Sequence, residues 1–147
     1  MASDNERPGP AGASSTSIVL LTLARRIENA LSSELAPLGL TISRLGLLGH
    51  IHGVPGVSFS DLARMSGITV QSVHTAVNAL AAAGLVRDST ARAGSASTIE
   101  MTDEGARLLR AAMSAVARVD AQLFGPEADP IQQQIGDTVR GLFPPND

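Results

Sequence analysis

Cysteine, lysine, tryptophan and tyrosine are all missing from the chain, and phenylalanine occurs at only three places, Phe59, Phe124 and Phe143. Without cysteine there are no disulfides, no thiolate catalysis and no cysteine-based redox sensing. Without tyrosine and tryptophan the usual walls of an aromatic ligand cage are gone, so the three phenylalanines read as packing residues. No apolar run reaches the roughly 18 residues that a membrane helix needs. Residues 1–15 are polar, with Pro8, Gly9, Pro10 and Gly12, and lack the basic start and apolar run of a secretory signal. They are expected to be a disordered tail, and a cytoplasmic location is expected for the protein. There is no G-x-S-x-G, G-x-G-x-x-G or P-loop motif and no carboxylate pair in an apolar setting, so neither an enzyme nor a cofactor is expected. His50 and His52 stand two apart on a predicted helix and point about 200° from each other, which rules out joint chelation and leaves no expected metal site.

What is present suffices for one domain: 147 residues, 44% of them hydrophobic, can bury a core without staples. All eleven basic residues are arginine, a mark of GC-rich coding that carries no functional information, and the net charge is −3. That charge is unevenly placed. Over residues 57–101, Arg64, Arg87 and Arg92 balance Asp61, Asp88 and Glu100, whereas the acidic excess lies after Met101. An acidic protein can still bind DNA, because phosphate neutralisation depends on the contact surface alone.

Apolar spacing outlines the elements. Leu20, Leu23, Ile27, Leu31 and Leu35 recur every three or four residues and predict an amphipathic helix from Ile18 to near Pro37. Thr41 caps a second helix with Ile42, Leu45, Leu48 and Ile51 on one face, ended by Gly53, Pro55 and Gly56. Ser58 with Asp61 starts a third, which ends at Ser66-Gly67, and Thr69 caps a fourth that Gly84 terminates. Leu85 to Asp88 and Thr98 to Met101 are predicted strands around a glycine-containing segment, 89–97, forming a two-stranded β wing. Thr102 caps a long helix with Asp103 and Glu104 in its first turn and Leu108, Leu109, Ala112, Val116, Val119 and Leu123 in its stripe. Asp129 and Pro130 open a last helix carrying Ile131, Ile135, Val139 and Leu142.

The fourth helix carries the functional signal. On a wheel at about 100° per residue, Val70, Val73, Val77 and Leu80 share one side and are expected to pack on Leu62, Met65 and Ile68. Gln71, Thr75 and Asn78 point the opposite way, with Ser72, Ala79 and His74 on the flanks. An ordinary solvent-facing helix would hold Glu, Lys or Arg there. Gln and Asn match the adenine edge in the major groove, and Ser and Thr are adaptable donors and acceptors. Such a surface suits a helix that reads DNA bases in a helix-turn-helix, the alternative being a merely polar solvent face. Arg25 and Arg26 admit two readings, a phosphate clamp or, with Glu28 and Asn29 beside them, a solvated face.

This order of elements, with Asp61-Leu62-Ala63, Gly67-Ile68-Thr69, Leu80 through Val86 and Met101-Thr102-Asp103-Glu104-Gly105, resembles the MarR family of bacterial transcriptional regulators over residues 16–143. The resemblance implies a mainly α winged helix-turn-helix homodimer, with residues 57–101 as the DNA-binding part and helices in 16–40 and 103–143 as the dimerisation layer. It implies a double-stranded DNA operator as partner, pseudo-palindromic and usually repressed, and a small-molecule effector of unknown identity. Gln71, Ser72, His74, Thr75 and Asn78 would contact bases; Arg64, Arg87 and Arg92 would contact phosphate or the minor groove. Two features depart from the family pattern. The family's Asp-x-Arg wing pair falls at Ala93, Gly94 and Ser95, leaving Arg92 as the wing's charge, and the second half of the reading helix has Thr75, Asn78 and Ala79 where arginine and aspartate are common. Weak, salt-sensitive or sequence-restricted binding is therefore expected. The competing reading is a winged-helix protein-interaction module that has lost sequence-specific DNA binding.

Overall fold

The computed structural model describes residues 15–89 and 98–143. The expected tail and the wing tip with Arg92, Ala93, Gly94 and Ser95 lie outside these residues, apart from Ser15, whose hydroxyl accepts the Ile18 N–H at 3.5 Å. Helix α1 (Thr16–Leu35) runs into a 3₁₀ turn (Ala36–Leu38), where Pro37 and the left-handed Gly39 (φ 69°) stop it. Then follow α2 (Ile42–Gly53), β1 (Val57–Ser58), α3 (Phe59–Ser66), α4 (Val70–Ala82), β2 (Val86–Ser89), β3 (Thr98–Met101), α5 (Asp103–Phe124) and α6 (Pro130–Leu142). The expected caps are in place: Thr41, Ser58, Thr69, Thr102 and Asp129 each accept a backbone N–H of the helix they precede.

The expected two-stranded wing is the β2–β3 hairpin, and a third strand that the spacing did not reveal joins it: the antiparallel sheet runs β1-β3-β2, because Val57 pairs with Ile99 and Ser58 with Thr98. A two-residue strand ending at a helix cap has no alternation to read, which is why β1 has no sequence signature. The β2–β3 hairpin pairs Val86 with Met101 and Ser89 with Thr98.

The core gathers Leu35, Leu48, Ile51, Leu62, Val73, Val77, Leu80 and Ile99, each at most 2% exposed, and joins α2, α3, α4 and the sheet to the inner face of α5. At such sites truncation to alanine removes both transfer energy and packing, about 2–5 kcal/mol for a leucine or isoleucine. Leu47 and Ala115 belong to this core though they stand outside the stripes named from spacing, whereas Ile42, the first residue of α2, is 38% exposed. Long helix α5 also packs along α1, where Arg118 pairs with Glu34 at 2.9 Å. Helix α6 folds back on α5 through Gln132, whose amide donates to the Leu123 carbonyl at 2.6 Å. Arg26 of α1 donates to the Gln132 oxygen at 3.1 Å, so it serves an α1–α6 contact. Phe143 is 80% exposed, contrary to its reading as a packing residue, because it lies just past the end of α6.

Candidate nucleic-acid interface

Three local devices aim α4. Gly67 takes the left-handed conformation (φ 67°) at the end of α3, and the Ile68 N–H closes back on the Ala63 carbonyl at 3.2 Å. The Thr69 hydroxyl then accepts the Ser72 N–H at 3.1 Å and starts α4 within two residues. At the far end Gly84 (φ 76°) lets the Leu85 N–H return to the Leu80 carbonyl at 3.0 Å and turns the chain into the sheet. Val73, Val77 and Leu80 are buried against α3 and the sheet, which leaves the opposite side of α4 in solvent.

Gln71, Ser72, His74, Thr75 and Asn78 are all exposed on that helix, which contains no charged residue. Their hydrogen-bonding capacity is unequal. The Ser72 and Thr69 hydroxyls are 2.9 Å apart and bond to each other, and the Thr75 hydroxyl donates to the Gln71 carbonyl at 3.2 Å. The two carboxamides, Gln71 and Asn78, are the exposed groups suited to bidentate contact with adenine. The His74 ring lies flat on Phe59 of α3, with centroids 4.0 Å apart and planes 13° off parallel. Phe59 is itself buried, so it fixes the height and tilt of His74.

Positive charge near this face is thin and partly committed. Arg64 is exposed and pairs with Asp61 one turn earlier at 2.6 Å. Such a pair in solvent contributes little to stability, so a phosphate can displace the carboxylate. Arg87 is exposed on β2 directly opposite Glu100 in the β2–β3 register. Arg92, the third expected phosphate contact, is outside the described residues.

Val70, Met65 and Ile68, expected to pack together, stay outside the buried core and are 42%, 38% and 41% exposed. Val70 is the first residue of α4, where the helix has no preceding turn to cover it, and a wheel takes no account of helix ends. A second apolar surface lies on α1 and α6. Leu20 and Leu21 of α1 and Ile131, Val139 and Leu142 of α6 are each at least 51% exposed. Of these, Leu20 and Val139 line a groove of about 430 Å³ together with Leu23, Ile27, Phe124 and Ile135.

Comparison with known proteins places this geometry. The model of the MarR family matches residues 38–93. The HTH-type transcriptional repressor Rv2887 of Mycobacterium tuberculosis is 31% identical over 104 residues, which span 70% of this chain and 75% of the repressor. The crystal structure of that MarR family protein has the same fold, with a TM-score of 0.72 at 26% identity over 90% of this chain and 96% of the other. It has also been solved in complex with DNA (TM-score 0.70, 26% identity, 87% and 97% covered) and with p-aminosalicylic acid (TM-score 0.67, 25% identity, 86% and 97% covered). A helix-turn-helix with a hairpin wing, set between long terminal helices and matched to these relatives along most of its length, makes this chain a member of the MarR family of transcriptional regulators.

Proposed function

We propose that the protein is a repressor that binds a pseudo-palindromic operator as a homodimer, inserts α4 into the major groove of each half-site and lets go when a small aromatic acid binds. The observation that carries DNA reading is the outer face of α4, five exposed polar side chains without a charge on a helix held rigidly by caps at both ends. Gln71 and Asn78 would read bases, Ser72, His74 and Thr75 would adjust to them, and Arg64, Arg87 and Arg92 would hold phosphate or the minor groove. The exposed apolar ends of α1 and α6 support the homodimer, since monomeric proteins rarely leave contiguous patches of this kind in water. An aromatic acid as effector rests on the p-aminosalicylic acid complex of the mycobacterial relative. Residues 57–101 would then be the DNA-binding part, and the helices in 16–40 and 103–143 the dimerisation layer.

The ion pair of Arg64 with Asp61, together with the position of Arg87 opposite Glu100 in the strand register, favours a second reading, an interaction module without sequence-specific DNA binding. Selection of operators from a random duplex pool, followed by anisotropy titration, separates the two. A palindromic consensus with a preference over random DNA of about 10³-fold or more supports the repressor. Enrichment of no sequence supports the interaction module.

A further inference from the structure

We infer that Val70 is a specificity-determining residue that reads the 5-methyl group of a thymine, next to the base read by Gln71. This rests on α4 being the DNA-reading helix and adds an apolar component to a face that is otherwise polar. Val73 and Val77, on the same side of the helix, are fully buried, while Val70 is 42% exposed. The residues that would cover it, Met65 and Ile68, are themselves 38% and 41% exposed, so this apolar edge continues around the turn between α3 and α4.

Position favours the assignment. Val70 is the first residue of α4, immediately after the Thr69 cap, and helix-turn-helix proteins dock with the N-terminal residues of the reading helix on base edges. The thymine methyl is the one apolar group that the base pairs present in the major groove. A β-branched side chain is stiff at χ1, so it loses little conformational freedom on contact. The hydroxyls around it are already engaged, Thr69 with Ser72 at 2.9 Å and Thr75 with the Gln71 carbonyl at 3.2 Å. With these hydroxyls partly committed, the Gln71 carboxamide and the Val70 methyls are the first-turn groups wholly open to the bases. Together they select an A·T-containing step. Because the methyl contact is uncharged, its share of the specificity survives added salt.

The test uses an operator selected from random duplex DNA, with each thymine replaced in turn by deoxyuridine, which removes one methyl and no hydrogen-bonding group. The full-length protein should lose affinity by about four-fold at one position of each half-site, the loss expected for one uncovered methyl. That sensitivity should vanish in Val70→Ala and persist in Gln71→Ala. Val70 is not part of the buried core, and Val70→Ala places a better helix former at the site; a circular dichroism melt confirms that it is folded. Val70→Thr, which keeps one methyl, should retain part of the sensitivity. Sensitivity that survives in Val70→Ala, or that is found at no thymine, overturns the assignment while sequence-specific binding stands. If no operator can be selected at all, the DNA-reading role of α4 falls and this inference falls with it.

Discussion

Gln71 and Asp61 show how single side chains divide the work on this face. Gln71 is exposed in the first turn of α4, and its carboxamide can hold an adenine edge by two hydrogen bonds. Gln71→Ala should relax the preference at one base pair of each half-site and cost about 1–3 kcal/mol per half-site on the selected operator. Anisotropy with single-substitution operators measures both; unchanged affinity and preference would remove Gln71 from the reading face. Asp61 acts in the opposite sense, because it occupies Arg64 at 2.6 Å. Asp61→Asn frees that guanidinium while keeping the backbone N–H that Ser58 accepts. Binding should strengthen on all sequences alike, and the salt slope should steepen by about one unit for each protomer. A gain confined to the selected operator would mean that Arg64 reads bases. Both polar identities were visible in the sequence. The pairing of Arg64 with Asp61 is an i,i+3 contact that spacing permits without requiring, and the exposure of Val70 depends on what the turn fails to cover.

At the scale of elements, the joint between the reading unit and the long helix combines a hydrogen-bonded cap with a close backbone approach. The Thr102 hydroxyl caps α5 by accepting the Gly105 N–H at 3.0 Å and donates to the Gly84 carbonyl at 2.6 Å, while the Thr102 N–H donates to the Leu85 carbonyl at 3.1 Å. One residue thus ties the end of α4 to the start of α5. A Cβ on Gly105 would lie 2.1 Å from the Leu85 carbonyl oxygen, so only glycine fits at that crossing. Gly105→Ala should lower unfolding free energy by about 1–3 kcal/mol through backbone displacement. Thr102→Ala should lower it by about 1 kcal/mol for the lost cap. Urea unfolding followed by circular dichroism gives both values, and a Gly105→Ala midpoint equal to wild type would show that α5 can shift freely against Leu85. Caps and helix stripes were legible because they are local, with periods of three or four residues. Strand β1 and the close approach at Gly105 were not, because each depends on a partner more than ten residues away in the chain.

At the scale of the molecule, charge and apolar surface are segregated. The acidic excess follows Met101, the reading segment is neutral, and besides the apolar edge at Met65, Ile68 and Val70 a larger group of exposed apolar residues lies on α1 and α6. That arrangement implies that affinity comes from joining two reading helices more than from phosphate contacts. A single α4 with two carboxamides and few free arginines has little to hold DNA at physiological salt, whereas a dimer makes the second half-site contact intramolecular and raises its effective concentration to about the millimolar range. Leu20→Glu with Val139→Glu places carboxylates on both sides of the α1–α6 groove, at positions 51% exposed in the protomer, so folding of the chain itself is spared. Sedimentation at micromolar concentration should show dimer for the wild type and monomer for the double variant. Operator affinity should fall by more than about 100-fold with no change in the bases preferred at a half-site. The wild-type salt slope should correspond to fewer than ten phosphate contacts; a slope equivalent to ten or more would contradict affinity from dimerisation. A double variant that stays dimeric would place the interface elsewhere, and one that turns monomeric but keeps full operator affinity would show that each α4 binds alone.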